Sequence, residues 1–213
     1  MLWAVRADRV KTTKTSPKKK VARAAELPTL SFATPSAFSD WLADHHASSR
    51  GIWLRLAKKA SGTVSITYAE ALDVALAWGW IDGQKQGGDE ASWLQKFTRR
   101  GAKSVWSKIN REKALALIKA GAMQPAGLAE VERAKQDGRW DVAYDPPSRA
   151  TMPADLQAAL ANNARAAAFF LKLDARNRYA VLWRVQTAKK IETRQKRIAA
   201  LVTMLARGEK VHP

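Results

Sequence analysis

The order of apolar and polar residues predicts that helices and strands alternate in the first half of the chain. A Thr-Pro pair precedes a segment in which Phe38, Trp41 and Leu42 recur at helical spacing, and this predicts a capped helix. The next apolar segment, GIWLRLAKK, alternates with a period of two, which is typical of a strand. After a Ser-Gly turn, the short segment TVSI predicts a second strand.

The following segments predict a capped helix and then a pair of strands. Thr67 and Glu70 have the spacing of a capping box, in which each side chain accepts a hydrogen bond from the backbone of the other. The helix that they begin is expected to end at Gly79, because glycine readily adopts the left-handed conformation at a helix C-terminus. Beyond it, WIDGQ and SWLQKFTR predict paired strands around a polar loop.

From Ser104 onward the pattern is helical. One helix is predicted to have Asn110 as its N-cap, and another to have Pro125 in its first turn and to end at Gly138. Residues 139–148 contain two prolines and are expected to form a linker. Four more stretches with helical periodicity follow: PADLQAALANN, ARAAAFFLKL, ARNRYAVLWRVQTA and ETRQKRIAALVTMLARGE.

Together these segments predict an α+β fold with three regions. Residues 1–30 are expected to form a flexible basic arm. Residues 31–145 are expected to form an α+β part, in which helices pack on a small antiparallel sheet. Residues 146–213 are expected to form a helical carboxy-terminal part that packs on or beside the α+β part.

The excess of basic residues adds to this predicted fold an expectation of anionic partners. The chain of 213 residues contains 37 Lys and Arg against 19 Asp and Glu, which gives a formal net charge of +18. Residues 1–25 contain eight basic residues and one acidic residue, so the rest of the chain still has a net charge of +11. Such an excess favours contact with nucleic acid, an anionic membrane surface or an anionic small molecule.

Composition also excludes several kinds of site. Cysteine is absent, which excludes disulfides, thiolate metal sites and cysteine nucleophiles. The sequence has no run of about 18 apolar residues, so we expect no transmembrane segment. The beginning, MLWAVRADRV, is too polar for the apolar region of a signal peptide, and we therefore expect a cytoplasmic protein.

Few residues match known catalytic patterns. The three histidines, His45, His46 and His212, do not have the spacing of metal ligands, and no P-loop, GxGxxG or GxSxG motif is present. We therefore predict no metal site and no cofactor, and the sequence favours a protein without enzymatic activity. Asp82 leaves two interpretations open, because it is either the first residue of an Asp-Gly turn or a general acid or base.

The segment 97–111 is the richest in binding chemistry. Its cationic, hydroxyl and amide side chains lie beside aromatic residues and a predicted helix N-terminus, and this combination suits an anion. Helix capping, aromatic packing and solvated cations explain the same residues without a ligand. We predict a pocket for an anionic ligand that is lined by Trp80, Asp82, Arg100, Ser104, Trp106, Ser107 and Asn110.

A second candidate cluster is Arg139, Trp140 and Tyr144. An arginine beside a tryptophan can stack on its ring and form a cation–π surface. The alternative is a packed aromatic residue and a salt bridge from Arg139 to Asp141 or Asp145.

Four long phrases of the chain resemble a known family. In order, they are EALDVALAWGWIDGQ, the stretch from FTRR to SKIN, GLAEVERAKQDGRWDVAYD and NRYAVLWRVQTAKKIETRQKRI. They resemble the YdeI/OmpD-associated family, also labelled bacteriocin-protection proteins, from about Ser36 to the end of the chain. The resemblance implies a part in resistance to bacteriocins, antimicrobial peptides or envelope stress, and it brings no known reaction or catalytic residue.

The chain departs from the family pattern at two positions. The pattern F-T-P-R-R corresponds to Phe97-Thr98-Arg99-Arg100-Gly101, so Arg100 matches, while Arg99 replaces the proline and Gly101 replaces the second arginine. The family label also suggests the periplasm, whereas the beginning of this sequence favours the cytoplasm.

Several functions remain open at this point. The first is binding of an anionic ligand in the predicted pocket, and the second is non-specific nucleic-acid binding through the arm and the carboxy-terminal helices. The third is an enzyme that uses Asp82, and the fourth is association with an anionic membrane surface through the basic arm.

Overall fold

The computed structural model describes residues 26–213, which form the predicted α+β fold with eight α-helices and four strands. Residues 1–25, which make up most of the predicted arm, lie outside the described residues. The strands are β1 (Thr29–Leu30), β2 (Ile52–Ala57), β3 (Trp80–Gly87) and β4 (Ser92–Arg99). The helices are α1 (Pro35–His45), α2 (Tyr68–Ala77), α3 (Lys108–Lys119), α4 (Pro125–Gln136), α5 (Ala154–Ala161), α6 (Ala164–Lys172), α7 (Ala175–Gln186) and α8 (Ile191–Ala206).

The four strands form one mixed sheet in the order β1-β2-β4-β3. β4 pairs antiparallel with β2 and β3, but β1 pairs parallel with β2, so the prediction of a purely antiparallel sheet is wrong. β1 begins at Thr29, and the end of the predicted arm therefore belongs to the sheet. The predicted strand TVSI is also wrong, because the side chain of Ser65, and not a strand backbone, accepts the hydrogen bond from the Ala57 amide at 2.9 Å.

The core of the α+β part lies on one face of the sheet. Ile52, Leu54 and Leu56 of β2 are at most 1% exposed and pack in one cluster with residues of α1 and α2. Helix α2 begins with the predicted capping box, since Thr67 Oγ1 accepts from the Glu70 amide while Glu70 accepts from the Thr67 amide. The alternation in β2 and the capped helix therefore build the layer that supports the site.

Two glycines allow α4 to cross the end of α2 closely. Gly79, with φ of +73°, follows α2 as predicted. A Cβ atom on Gly127 of α4 would lie 2.2 Å from the carbonyl oxygen of Ala77, so this crossing has no space for a side chain. A Cβ atom on Gly79 would lie 3.0 Å from Cγ of Glu130, which shows that the crossing brings Glu130 to the beginning of β3.

Helices α5–α8 form a second hydrophobic core. Leu156, Val181 and Leu205 are fully buried in it, and it is separate from the core beneath the sheet. Within residues 26–213, no helix has the length and apolar character needed to cross a membrane.

The two cores meet at a polar junction. Lys108 Nζ lies 2.8 Å from the carboxylate of Asp145, and the amide of Asp145 donates to the side chain of Gln186 at 3.1 Å. Lys189 Nζ lies 3.6 Å from the carboxylate of Asp137. Asp137, just before the predicted linker, and Asp145, within it, therefore bind groups of both parts.

Candidate functional site

Strand pairing brings the predicted tryptophan and arginine segments together. Trp80 at the start of β3 lies opposite Arg99 at the end of β4. The amide of Arg100 donates to the carbonyl oxygen of Gly79 at 3.1 Å and extends this contact by one residue. The Trp-Gly-Trp segment and the Arg-Arg segment are therefore neighbours at one end of the sheet.

Arg100 is a buried cation with an unpaired edge. Its side chain is 5% exposed, and its guanidinium carbon lies 3.6 Å from the centroid of the Trp106 ring. Nη1 donates to the carbonyl oxygen of Val105 at 3.2 Å, whereas Nε and Nη2 are buried and have no hydrogen-bond partner among the described residues. Nε and Nη2 form one edge of the planar guanidinium, and such an edge can bind two oxygens of a carboxylate or phosphate.

The charge of Arg100 has no direct counterion in residues 26–213. Burial lowers the pKa of Arg100 to about 10, although the nearby charge of Glu130 opposes this shift, and the group stays protonated at neutral pH. Glu130 itself forms a salt bridge with Arg133. A buried charge is costly unless another group neutralises it, so the environment of Arg100 suits an anion.

A cavity of about 220 Å³ adjoins Arg100 at the end of the sheet. Arg99 and Arg100 contribute positive charge, and Glu130 is the acidic residue of the wall. Trp78 and Trp80 provide apolar surface. The complete lining is His46, Ala47, Trp78, Gly79, Trp80, Arg99, Arg100, Ala126, Ala129 and Glu130. Within the described part of the chain, no group of three or more His, Cys, Asp or Glu side chains is arranged to hold a metal ion.

Ser104, Ser107 and Asn110 have structural hydrogen bonds and do not line this cavity. Ser104 Oγ accepts from the Gly101 amide at 2.9 Å. Ser107 Oγ accepts from the Asn110 amide at 3.1 Å and is the N-cap of α3. The prediction of Asn110 as the N-cap is therefore wrong, because the chain leaves its extended conformation at Ser107 and Asn110 lies buried in the first turn.

Asp82 lies within β3 opposite Phe97, so its interpretation as a turn residue is wrong. The pairing of β3 with β4 shifts its register between Asp82 and Lys85 and then continues to Gly87. The hairpin turn therefore comes after Gly87, and not at Asp82. The Asp82 carboxylate accepts a hydrogen bond from the hydroxyl of Tyr68 at 2.8 Å. Burial and this hydrogen bond raise the pKa of Tyr68, so Asp82 serves as the partner of a tyrosine.

The two predicted clusters form one continuous group. The ring centroids of Trp106 and Trp140 are 4.9 Å apart in an edge-to-face contact. The amide of Tyr144 donates to the carbonyl oxygen of Trp106 at 3.0 Å. Burial, and then the charge of Asp82, raise the pKa of Tyr144, while the charge of Arg100 lowers it. Tyr144 therefore shares an electrostatic environment with Arg100 and Asp82.

Arg139 belongs to this group as a structural residue with a carboxylate partner, although its Nη2 is buried and has no hydrogen-bond partner among the described residues. Its Nε donates to both carboxylate oxygens of Asp137, at 2.8 and 2.7 Å. Its Nη1 donates to the carbonyl oxygen of Ser104 at 2.7 Å. The predicted partners Asp141 and Asp145 are wrong, because the chain turns at the end of α4 and brings Asp137 against the guanidinium.

Of the predicted pocket residues, Trp80 and Arg100 line the cavity beside Arg100. Arg99 also lines the cavity and could have been predicted from the sequence, because the predicted pairing of two strands places it opposite Trp80. His46 and Glu130 reach the cavity through the packing of α1 and α4, and no local pattern in the sequence indicates this contact.

Two family models match separate parts of the chain. Residues 149–208, which contain α5–α8, match the family described as bacteriocin-protection, YdeI or OmpD-associated. The predicted resemblance is confirmed for this helical part. Residues 30–130, which contain the sheet, match a domain of unknown function, DUF8412. No curated protein and no solved structure matches the chain significantly.

Proposed function

We propose that this protein, whose residues 149–208 match the bacteriocin-protection, YdeI or OmpD-associated family, acts by binding a small anion. The observation that carries the proposal is the unpaired edge of Arg100. Its Nε and Nη2 are buried without a hydrogen-bond partner in the described residues, beside a cavity of about 220 Å³. A bound anion would neutralise the charge and accept both hydrogen bonds.

The geometry supports a carboxylate or a phosphate as the ligand. Both groups present two oxygens at the spacing of a guanidinium edge, and a single-atom anion such as chloride does not. Arg99 adds a second positive charge to the cavity wall, while Glu130 is already paired with Arg133. The volume limits the ligand to a small molecule.

Thermal unfolding of the full chain tests this proposal. Inorganic phosphate and succinate are added to the native protein, to Arg100→Lys and to Arg139→Lys. Ligand at about 100 times its Kd stabilises a protein by about 2.7 kcal/mol. For a chain of this size, that corresponds to roughly 5–10 °C in Tm. We expect this rise in the native protein and its loss in Arg100→Lys, since lysine keeps the charge but lacks the planar edge.

Arg139→Lys is the matched control, because Arg139 is equally buried but is already paired and does not line the cavity. It is expected to lower the starting Tm and to keep the response to the anion. An equal response of the native protein and Arg100→Lys would show that the anions act elsewhere on the basic surface, and the proposal would then be wrong.

We propose that this binding takes place in the cytoplasm and contributes to resistance to bacteriocins, antimicrobial peptides or envelope stress. The family description supports the link to bacteriocins. A strain that lacks the gene is expected to be more sensitive to bacteriocins, and a native copy to restore resistance where an Arg100→Lys copy does not. Full restoration by Arg100→Lys would separate resistance from anion binding.

Non-specific nucleic-acid binding is a second function that the charge distribution favours. Residues 165–210 contain twelve basic and three acidic residues. Of these basic residues, Lys189 and Arg194 are the ones that form salt bridges within the described chain. DNA affinity that falls steeply with salt concentration would support this function. Loss of all affinity on deletion of residues 1–25 would assign it to that segment alone.

A further inference from the structure

A second cavity, of about 420 Å³, lies between the α+β part and the helical part. Val105, from the segment before α3, forms one side, and residues of α7, α8 and the turn between them form the other. The complete lining is Val105, Trp183, Arg184, Thr187, Arg197, Ala200, Leu201 and Met204. We refer to it as the junction cavity. None of these residues lines the cavity beside Arg100.

The walls of the junction cavity are largely apolar. The ring of Trp183 and the side chains of Leu201 and Met204 face it. Water in such a space finds few hydrogen-bond partners, so an apolar ligand group gains free energy by replacing it. A volume of this size falls in the range of sites for small molecules.

The polar residues of the junction cavity are cationic. Arg184 and Arg197 both line it, and neither forms a salt bridge within residues 26–213. Arg197 Nη1 donates to the carbonyl oxygen of Arg184 at 2.7 Å and to Thr187 Oγ1 at 3.1 Å. These bonds fix the guanidinium of Arg197 at the wall. No carboxylate contributes to the described lining, so the positive charge is not neutralised there.

We propose that the junction cavity binds an amphipathic carboxylate. The apolar chain of the ligand packs against Trp183, Leu201 and Met204. Its carboxylate pairs with Arg184 and Arg197, which accounts for the combination of an apolar wall with two unpaired cations. The ligand class is therefore a medium-chain acyl anion.

Displacement of a fluorescent probe from the full chain tests this site. The probe is anilinonaphthalene sulfonate, an apolar aromatic anion whose emission rises when it leaves water. We expect decanoate to displace it, acetate to fail because it lacks the apolar chain, and decanol to compete at least about tenfold more weakly because it lacks the charge. Equal competition by decanol and decanoate would overturn the proposal.

Variants on α8 and α7 locate the site. Ala200 is exposed and lines the junction cavity, so Ala200→Phe fills the cavity without disturbing the core and is expected to weaken decanoate binding at least about tenfold. Ala199→Phe places the same side chain on the adjacent exposed position, which does not line the junction cavity, and is expected to leave binding unchanged. Arg184→Gln is expected to weaken binding about fivefold, since the pair is partly solvated.

One further variant separates this proposal from the proposed function. Arg100→Lys is expected to abolish the response to phosphate and to leave decanoate displacement unchanged. Loss of decanoate binding in Arg100→Lys, or unchanged binding in Ala200→Phe, would overturn the junction site. Neither result would bear on phosphate binding at Arg100.

Discussion

Arg100 and Arg139 are buried to nearly the same extent, and each has a buried guanidinium nitrogen without a hydrogen-bond partner in the described residues, but they differ in that Arg139 has a carboxylate partner there. Arg139 is 4% exposed, and its guanidinium bonds both oxygens of Asp137 and one backbone carbonyl. Arg100 is 5% exposed and bonds one backbone carbonyl, with no carboxylate partner among residues 26–213. Burial alone therefore does not assign a role to an arginine. The partners supplied by the fold distinguish a cation that has a carboxylate partner within the described residues from one that does not.

The largest expected difference between the two arginines is in stability, and replacing each of them by methionine tests it. Arg139→Met leaves the Ser104 carbonyl without its donor and removes the ion pair, so we expect a loss of about 3 kcal/mol in the free energy of unfolding. Arg100→Met removes an uncompensated buried charge and keeps apolar packing on Trp106, so we expect a change within about 1 kcal/mol or a gain. Urea unfolding at neutral pH measures both values.

Equal losses in the two variants would contradict the comparison. In that case the single hydrogen bond from Arg100 to Val105 and its stacking on Trp106 would suffice to make it structural.

Acid titration sharpens the comparison through Asp137. Burial raises the pKa of Asp137, but the hydrogen bonds and charge of Arg139, with the charge of Lys189, lower it overall. A carboxylate with a lowered pKa contributes stability that is complete above its unfolded value of about 3.9 and is lost as the pH falls through the folded pKa. The stability difference between the native protein and Arg139→Met is therefore expected to shrink below about pH 4.

Arg100→Met serves as the control for this titration. Arg100 has no salt-bridge partner in the described residues but is influenced by the nearby charge of Glu130, so its effect on stability is expected to change less than that of Arg139→Met over the same acid range. A parallel change in both variants would indicate general acid unfolding and not the Arg139–Asp137 pair.

The part of the fold that local patterns specify was predictable from the sequence. The alternation in β2, the capping box at Thr67 and the glycine at the end of α2 are confirmed, because each depends on neighbouring residues only. The predicted pairing of β3 with β4 was enough to place Trp80 beside Arg99. The parallel contact of β1 was not predictable, since a strand of two residues carries no periodicity.

The candidate site was predictable only in part, because its remaining walls come from tertiary packing. Glu130 reaches the cavity because Gly127 lets α4 approach the backbone of Ala77. Ser107 and Asn110 are both good N-cap residues and lie one turn apart, so the sequence did not distinguish them. The pairing of Arg139 with Asp137 depends on the turn at the end of α4, which local charge counts do not reveal.

A smaller effect is expected at the serine that caps α3. Ser107→Ala removes the acceptor for the Asn110 amide, and we expect a loss of about 1 kcal/mol in the free energy of unfolding. Because Ser107 does not line the cavity beside Arg100, the Tm response to phosphate is expected to stay unchanged. Loss of that response in Ser107→Ala would instead show that the Ser107 hydroxyl contributes to anion binding, as the sequence predicted.

The smallest expected effect is spectroscopic and concerns Tyr144. Burial and the charge of Asp82 raise its pKa, whereas the charge of Arg100 lowers it. A raised tyrosine pKa contributes stability that is present below about pH 10 and is lost as the pH rises through the folded value. Removing the cation in Arg100→Met is therefore expected to move the ionisation of Tyr144 to still higher pH.

The measurement needs Tyr144 as the remaining tyrosine. The chain has three tyrosines, so a Tyr68→Phe/Tyr179→Phe background isolates its tyrosinate absorbance. Arg100→Met is expected to shift the titration of this background upward and Arg139→Met to leave it in place, because Arg139 is not among the charges that act on Tyr144. An equal shift in both would mean that the two arginines influence the aromatic group alike. Arg100 and Arg139 would then differ in their hydrogen-bond partners but not in their electrostatic effect on the pKa of Tyr144.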